Sequence, residues 1–149
     1  MTSVPLRGSC QCGQVTYEAT EAPALVLVCH CIDCQKLSAS AWSPTLVIRA
    51  KSLEVKGNLG SWERTTTSGR RNIGYFCTQC GCRIFHEDPD QPHFRRLKGG
   101  TLDNGPIPTP VAHVWVSRKQ PWVEIPEGVP QFEENLPPDA AKKLFAKGG

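Results

Sequence analysis

The sequence predicts a mainly β fold organised around metal-binding turns, and two observations predict it. The apolar stretches are short and are separated by turns rich in glycine and proline, with 13 of each in 149 residues. That is the pattern of strands rather than of long helices. The eight cysteines fall into three clusters: Cys10-x-Cys12, Cys29-x-Cys31-x-x-Cys34 and Cys77-x-x-Cys80-x-Cys82. At these spacings a tight turn brings two or three sulfurs to one metal ion.

Composition sets the class. The chain is 39% hydrophobic and 21% charged, ordinary values for a globular protein with a real core. No apolar stretch is long enough to span a membrane. The segment Met1–Arg7 lacks the apolar core of a secretory signal, so a cytoplasmic location is expected. Without an export signal, clustered cysteines read as metal ligands rather than disulfides. The formal charge of +3 counts every cysteine as neutral; two zincs on eight thiolates would bring it to about −1. Nucleic acid is therefore not an expected partner. No repeat and no second core is visible, so one zinc-binding domain is expected over residues 1–149. Its core would cover about residues 8–132, with a tail, 133–149, that is extended or weakly helical.

The elements follow in order. Gly8–Gly13 reads as a turn carrying Cys10 and Cys12. Gln14–Ala19 alternates as a half-buried strand, with Val15 and Tyr17 on one face. Ala24–His30 is a continuous apolar run, as in a central strand. Asp33 is placed to cap a short helical turn through Ser38. Trp42–Ile48 is a strand interrupted by Pro44. Leu53–Val55 and Ser61–Thr66 flank Lys56-Gly57-Asn58 as a hairpin. Asn72–Cys77 and Cys82–His86 are expected to pair across the Cys77 turn. Phe94–Leu97, His113–Val116 and Trp122–Ile125 are further strands, and a weak helix runs from Pro138 to Lys147.

The thiols divide by local chemistry. Cys12 and Cys80 are each followed by glycine, which lets the backbone turn through positive φ beside a ligand. This shared feature assigns Cys10, Cys12, Cys77 and Cys80 to one closed, structural zinc. Cys29, Cys31 and Cys34 form the second site. Cys29 and Cys31 point to one face of a strand, and three protein ligands leave a fourth position for water or substrate. Cys82 stays open: a fourth ligand of the second site, a free thiol or a buried apolar residue. His30 reads as a packed, hydrogen-bonded residue, His86 and His93 as surface or loop residues, and His113 as a strand residue beside the core. Trp42, Trp62, Trp115 and Trp122 read first as core residues.

Four segments carry a resemblance: Gly8-Ser9-Cys10-Gln11-Cys12-Gly13, Cys29 through Ser38, Tyr75-Phe76-Cys77-Thr78-Gln79-Cys80-Gly81, and Gly100-Thr101-Leu102-Asp103 followed by His113-Val114-Trp115-Val116. In their order and spacing the chain resembles the glutathione-dependent formaldehyde-activating family, also called the centromere-protein-V-type domain. The resemblance implies a Mss4-like twisted β-sheet fold, the β-tent. It implies two zinc positions, one structural and one catalytic, with the same division of cysteines. Its named reaction adds glutathione to formaldehyde, which is carbon–sulfur lyase chemistry in reverse. The implied partners are a small-molecule thiol and an aldehyde, and a homodimer stays open. Cys82 departs from the small polar residue common in relatives. Because glutathione carries two carboxylates, Arg70, Arg71 and Arg83, which flank the Cys77 turn, are candidate substrate-binding residues. The alternative function is a non-catalytic zinc scaffold that binds another protein.

Overall fold

The structure, a computed structural model, describes the backbone of residues 3–148 and the side chains of residues 3–145. Its described strands, numbered in chain order, form two sheets. The small sheet joins β1 (Leu6–Ser9), β2 (Thr16–Ala19) and β5 (Leu53–Lys56), in that order and antiparallel. The large sheet begins with β10 (Ala112–Val114), β3 (Leu25–Cys29), β4 (Ser43–Arg49) and β9 (Phe94–Lys98). It continues through β8 (Arg83–Glu87) and β7 (Arg71–Cys77) to β6 (Leu59–Thr65) at the edge. All its pairings are antiparallel except β10 with β3. The mainly β class is as expected.

The alternation of side chains along the strands builds two unlike faces. On one face, Val26, Leu46, Ile48, Phe85 and Leu97 of the large sheet meet Leu6, Val15, Tyr17, Ala19 and Leu53 of the small sheet in the main core. Each fully buried Leu or Ile there contributes about 2 kcal/mol. The other face carries Leu27, Thr45 and Val47, and Arg96 opposite both Val47 and His86. Helix α2 (Pro138–Gly148) covers one end of this face, where Leu144 joins Leu25, Val47 and Ala112, with Phe132, Leu136 and Phe145 alongside. The rest of the face borders a cavity.

Several elements differ from expectation. β5 and β6 do not form a hairpin; β5 pairs with β2 and β6 with β7. The Gln14 side chain holds Asn58, accepting from its N–H at 3.0 Å and donating to its carbonyl at 2.8 Å. The chain between β5 and β6 thus crosses from one sheet to the other at Gly57, whose φ is +111°. Pro44 lies within β4, opposite Val28 and just outside the β4–β9 pairing that starts at Thr45, an end position that tolerates a missing N–H. β10 stops at Val114 because Trp115 turns to φ +57° and starts a 3₁₀ turn. Residues 122–125 form no strand; Lys119 Nζ takes the Val123 carbonyl at 2.7 Å. Trp122 and Trp62 are 70% and 57% exposed, not core residues, and Trp42 and Trp115 are only half-buried. The tail is tied down: Trp115 N–H donates to Glu134 O at 3.0 Å and Val116 N–H to Phe132 O at 3.1 Å. Among the described residues no helix is long and apolar enough to cross a membrane.

Candidate active site

The first cysteine cluster joins the two sheets. Cys10 and Cys12 come from the turn between β1 and β2. Cys77 ends β7, and Cys80 lies in the turn to β8. Their four Sγ atoms lie within 4.8 Å of one another. Gly13 and Gly81, next to two of these ligands, sit at φ +84° and +77°, the left-handed backbone expected of them. Neutral donors surround the sulfurs. Gln14 Nε2, Gln79 N–H and Cys80 N–H donate to Cys77 Sγ at 3.1, 3.3 and 3.4 Å, and Val15 N–H donates to Cys10 Sγ at 3.3 Å. Burial opposes ionisation of Cys77, but these donors outweigh it and hold the thiol at about 6.

The second cluster is local in sequence. β3 delivers Cys29, and helix α1 (Ile32–Ser38) starts one residue after His30-Cys31 and carries Cys34. The cap of α1 is Cys31 rather than Asp33: Cys31 Sγ accepts from Cys34 N–H at 3.4 Å. Asp33 instead pairs with Arg64 at 3.0 Å. Gln35 anchors the helix, its Nε2 donating to the carbonyls of His30 at 2.7 Å and Arg118 at 2.9 Å. His30 is fully buried with its Nε2 2.8 Å from His113 Nδ1, as read from the sequence. The Sγ atoms of Cys29, Cys31 and Cys34 also lie within 4.8 Å of one another. Hydrogen bonding from Cys29, then from Cys34, brings Cys31 down to about 2. Cys29 is pushed up by its contacts with Cys31 and Cys34. The Cys29 contact favours a thiolate at Cys34, yet the Cys31 contact and burial raise it to about 11. The close approach of the three sulfurs thus favours negative charge on Cys31 over Cys29 and Cys34. A soft cation would complete the ionisation of such a set, and three sulfurs suit zinc.

Cys82 belongs to neither group. It packs half-buried against the main core with its Sγ 3.8 Å from the Arg83 carbonyl, so the second cluster has three thiols.

These three thiols border a cavity of about 330 Å³ on the exposed part of the large sheet, within the size range of small-molecule sites. Arg64, Arg70, Arg71, Arg96 and His86 line it as well. Of the three expected arginines, Arg70 and Arg71 border the cavity, whereas Arg83 lies outside its lining, over the Phe76 ring at 5.9 Å. Arg71 is bound to Glu63 at 2.6 Å. Arg96 Nη1 and His86 Nδ1 are buried with no hydrogen-bond partner. Burial, then the charges of Lys98 and Arg96, keep His86 neutral. His86 is therefore a site residue and not the surface residue expected. Arg64 and His86 were not anticipated, and Arg96 was not among the expected substrate-binding arginines. Their sequence signal is weak: none of the strands that carry them, LGSWERT, RIFHE and FRRLK, alternates polar with apolar residues.

The sequence pattern of the glutathione-dependent formaldehyde-activating enzyme family matches residues 5–118. The chain belongs to that family. Both cysteine clusters and all the lining arginines of this formaldehyde-activating family member lie inside the matched residues, while α2 lies outside. A crystal structure of a Rhodobacter sphaeroides protein is similar in fold, with a TM-score of 0.53 at 24% identity, over 66% of this chain and 89% of that one. No curated protein matches the chain. Family membership supports a formaldehyde-activating, glutathione-related function, and both clusters could hold metal ions.

Proposed function

We propose that the protein is a zinc-dependent enzyme that adds a thiol, glutathione or a similar molecule, to formaldehyde or another small aldehyde. Read in reverse, it is a carbon–sulfur lyase. The observation that carries this reading is the three-thiol cluster bordering a cavity rich in cations. Cys10, Cys12, Cys77 and Cys80 would hold a structural zinc, and Cys29, Cys31 and Cys34 a catalytic one, within one zinc-binding domain. When bound at the second cluster, zinc supplies Lewis acidity that lowers the pKa of a thiol in the remaining position.

The protein's own residues do the rest. Cys29, Cys31 and Cys34 fix where the reacting sulfur sits. Arg70 and Arg71, joined by Arg96 and Arg64, face the carboxylates of a glutathione-like thiol. Arg83 adds charge from behind the lining. In the reaction the sulfur forms a bond to the carbonyl carbon, the C=O π bond breaks, and the oxygen takes up a proton. Holding both reactants in one cavity gives the gain in effective concentration.

The test is Cys31→Ser. The variant is expected to lose one of two zincs per chain and the rate of thiol–formaldehyde adduct formation, with an unchanged circular dichroism spectrum. A wild-type rate in the variant would overturn the assignment. If neither protein exceeds the uncatalysed rate, the reading of the chain as a non-catalytic zinc scaffold takes its place.

A further inference from the structure

The two cysteine clusters differ in how negative charge on sulfur is compensated. Around the first, the partners are neutral N–H groups from Gln14, Val15, Gln79 and Cys80. Around the second, the Cys34 N–H donates to Cys31, and the other compensating groups are cations from distant strands: Arg64, which acts on Cys31 from the open cavity while paired with Asp33, and the buried Lys98, which acts on Cys34.

Lys98 closes β9. It pairs with Thr45, which pairs in turn with Leu27, two residues before Cys29 on β3. Directly paired residues share a face, so Lys98 projects from the same face of the sheet as Cys29. The residue is 7% exposed, and its Nζ is buried with no hydrogen-bond partner. Among the described residues no carboxylate lies within ion-pair distance of it. A buried ammonium without a counter-charge is strongly unfavourable. Burial drives Lys98 toward the neutral form, and the groups that push it back toward the charged form are Cys34, Cys29 and Cys31, in that order. Arg83 acts in the opposite sense.

We propose that Lys98 is a positioning residue, the buried counter-charge of the Cys29–Cys31–Cys34 thiolates, and that it sets the affinity of this cluster for a divalent metal and for an added thiolate. The inference rests on the proposed zinc site at these three cysteines. Three thiolates outweigh the charge of one divalent ion, and a bound substrate thiolate adds a further negative charge. Lys98 offsets one of these charges from inside the protein, where screening by solvent is weak. The first cluster needs no such cation because it is held by neutral donors and takes no fourth ligand from outside.

The experiment compares wild type with Lys98→Met, which keeps the length and apolar stem of the side chain and removes its charge. Zinc affinity at each cluster is measured by competition with a chromophoric chelator, using Cys31→Ser to identify the first cluster. Lys98→Met is expected to leave the first cluster unchanged and to weaken the second about tenfold or more. The affinity of glutathione for the cobalt-loaded protein, followed by thiolate-to-metal absorption, is expected to fall in parallel. Lys98→Gln serves as a second neutral variant if the first folds poorly by circular dichroism. Two zincs in wild type with unchanged second-cluster affinity in both variants would overturn the inference alone. Only one zinc in wild type would overturn the inference together with the reading it rests on.

Discussion

Arg96 and Arg71 both border the cavity, but among the described residues only Arg71 is held by a carboxylate. Arg71 is engaged with Glu63 at 2.6 Å in a half-exposed pair, and such a pair holds little energy. Arg96 has a buried nitrogen with no partner, so a ligand carboxylate would satisfy it. In calorimetric titrations with glutathione, Arg96→Gln is expected to weaken binding about tenfold and Arg71→Ala less than about threefold. Equal losses would mean that the buried nitrogen is not the anchor. At this scale the cysteines were legible because their spacing is local: each turn announces its own ligands. The tryptophans misled because size does not tell which face of a strand a residue occupies. Trp62 sits on the edge strand β6 and Trp122 in a loop, and both meet solvent. Arg96 and His86 could not be found in the sequence, since their meeting depends on β8 and β9 being neighbours in register.

Helix α2 shows how an element outside the matched family region can support the site face. Leu144 is buried against Leu25, Val47 and Ala112, and Leu25 belongs to the strand that delivers Cys29. Leu144→Ala is expected to lower the free energy of unfolding by about 2 kcal/mol, measured by urea denaturation. No change would mean that α2 does not stay docked in solution. The helix itself was legible from Pro138 onward, but its docking was not, because the residues it covers lie in strands far earlier in the chain. The misplaced hairpin has a similar cause. β5 and β6 flank a glycine turn that looks like a hairpin locally. The bonds from Gln14 to Asn58, 44 residues apart, decide otherwise. Strand identity was local information, and strand partnership was not.

For the whole molecule, the first cluster is the tie between sheets, with Cys12 and Cys77 65 residues apart. A metal there closes a long loop, which stabilises chiefly by restricting the unfolded chain. Cys77→Ser is expected to give one zinc fewer per chain and a melting temperature lower by about ten degrees or more. Unchanged melting in a soluble variant would refute the structural role. The same separation has a consequence in time. During synthesis the thiols from Cys10 to Cys34 leave the ribosome before Cys77 does, and at ordinary translation rates the interval between Cys34 and Cys77 is about two to nine seconds. Throughout it, the local triad has all three of its sulfurs, whereas Cys10 and Cys12 wait for half of theirs. The nascent chain can therefore capture an ion first at the cluster of the proposed reaction, and the ion that joins the sheets can come only after β7 has been made.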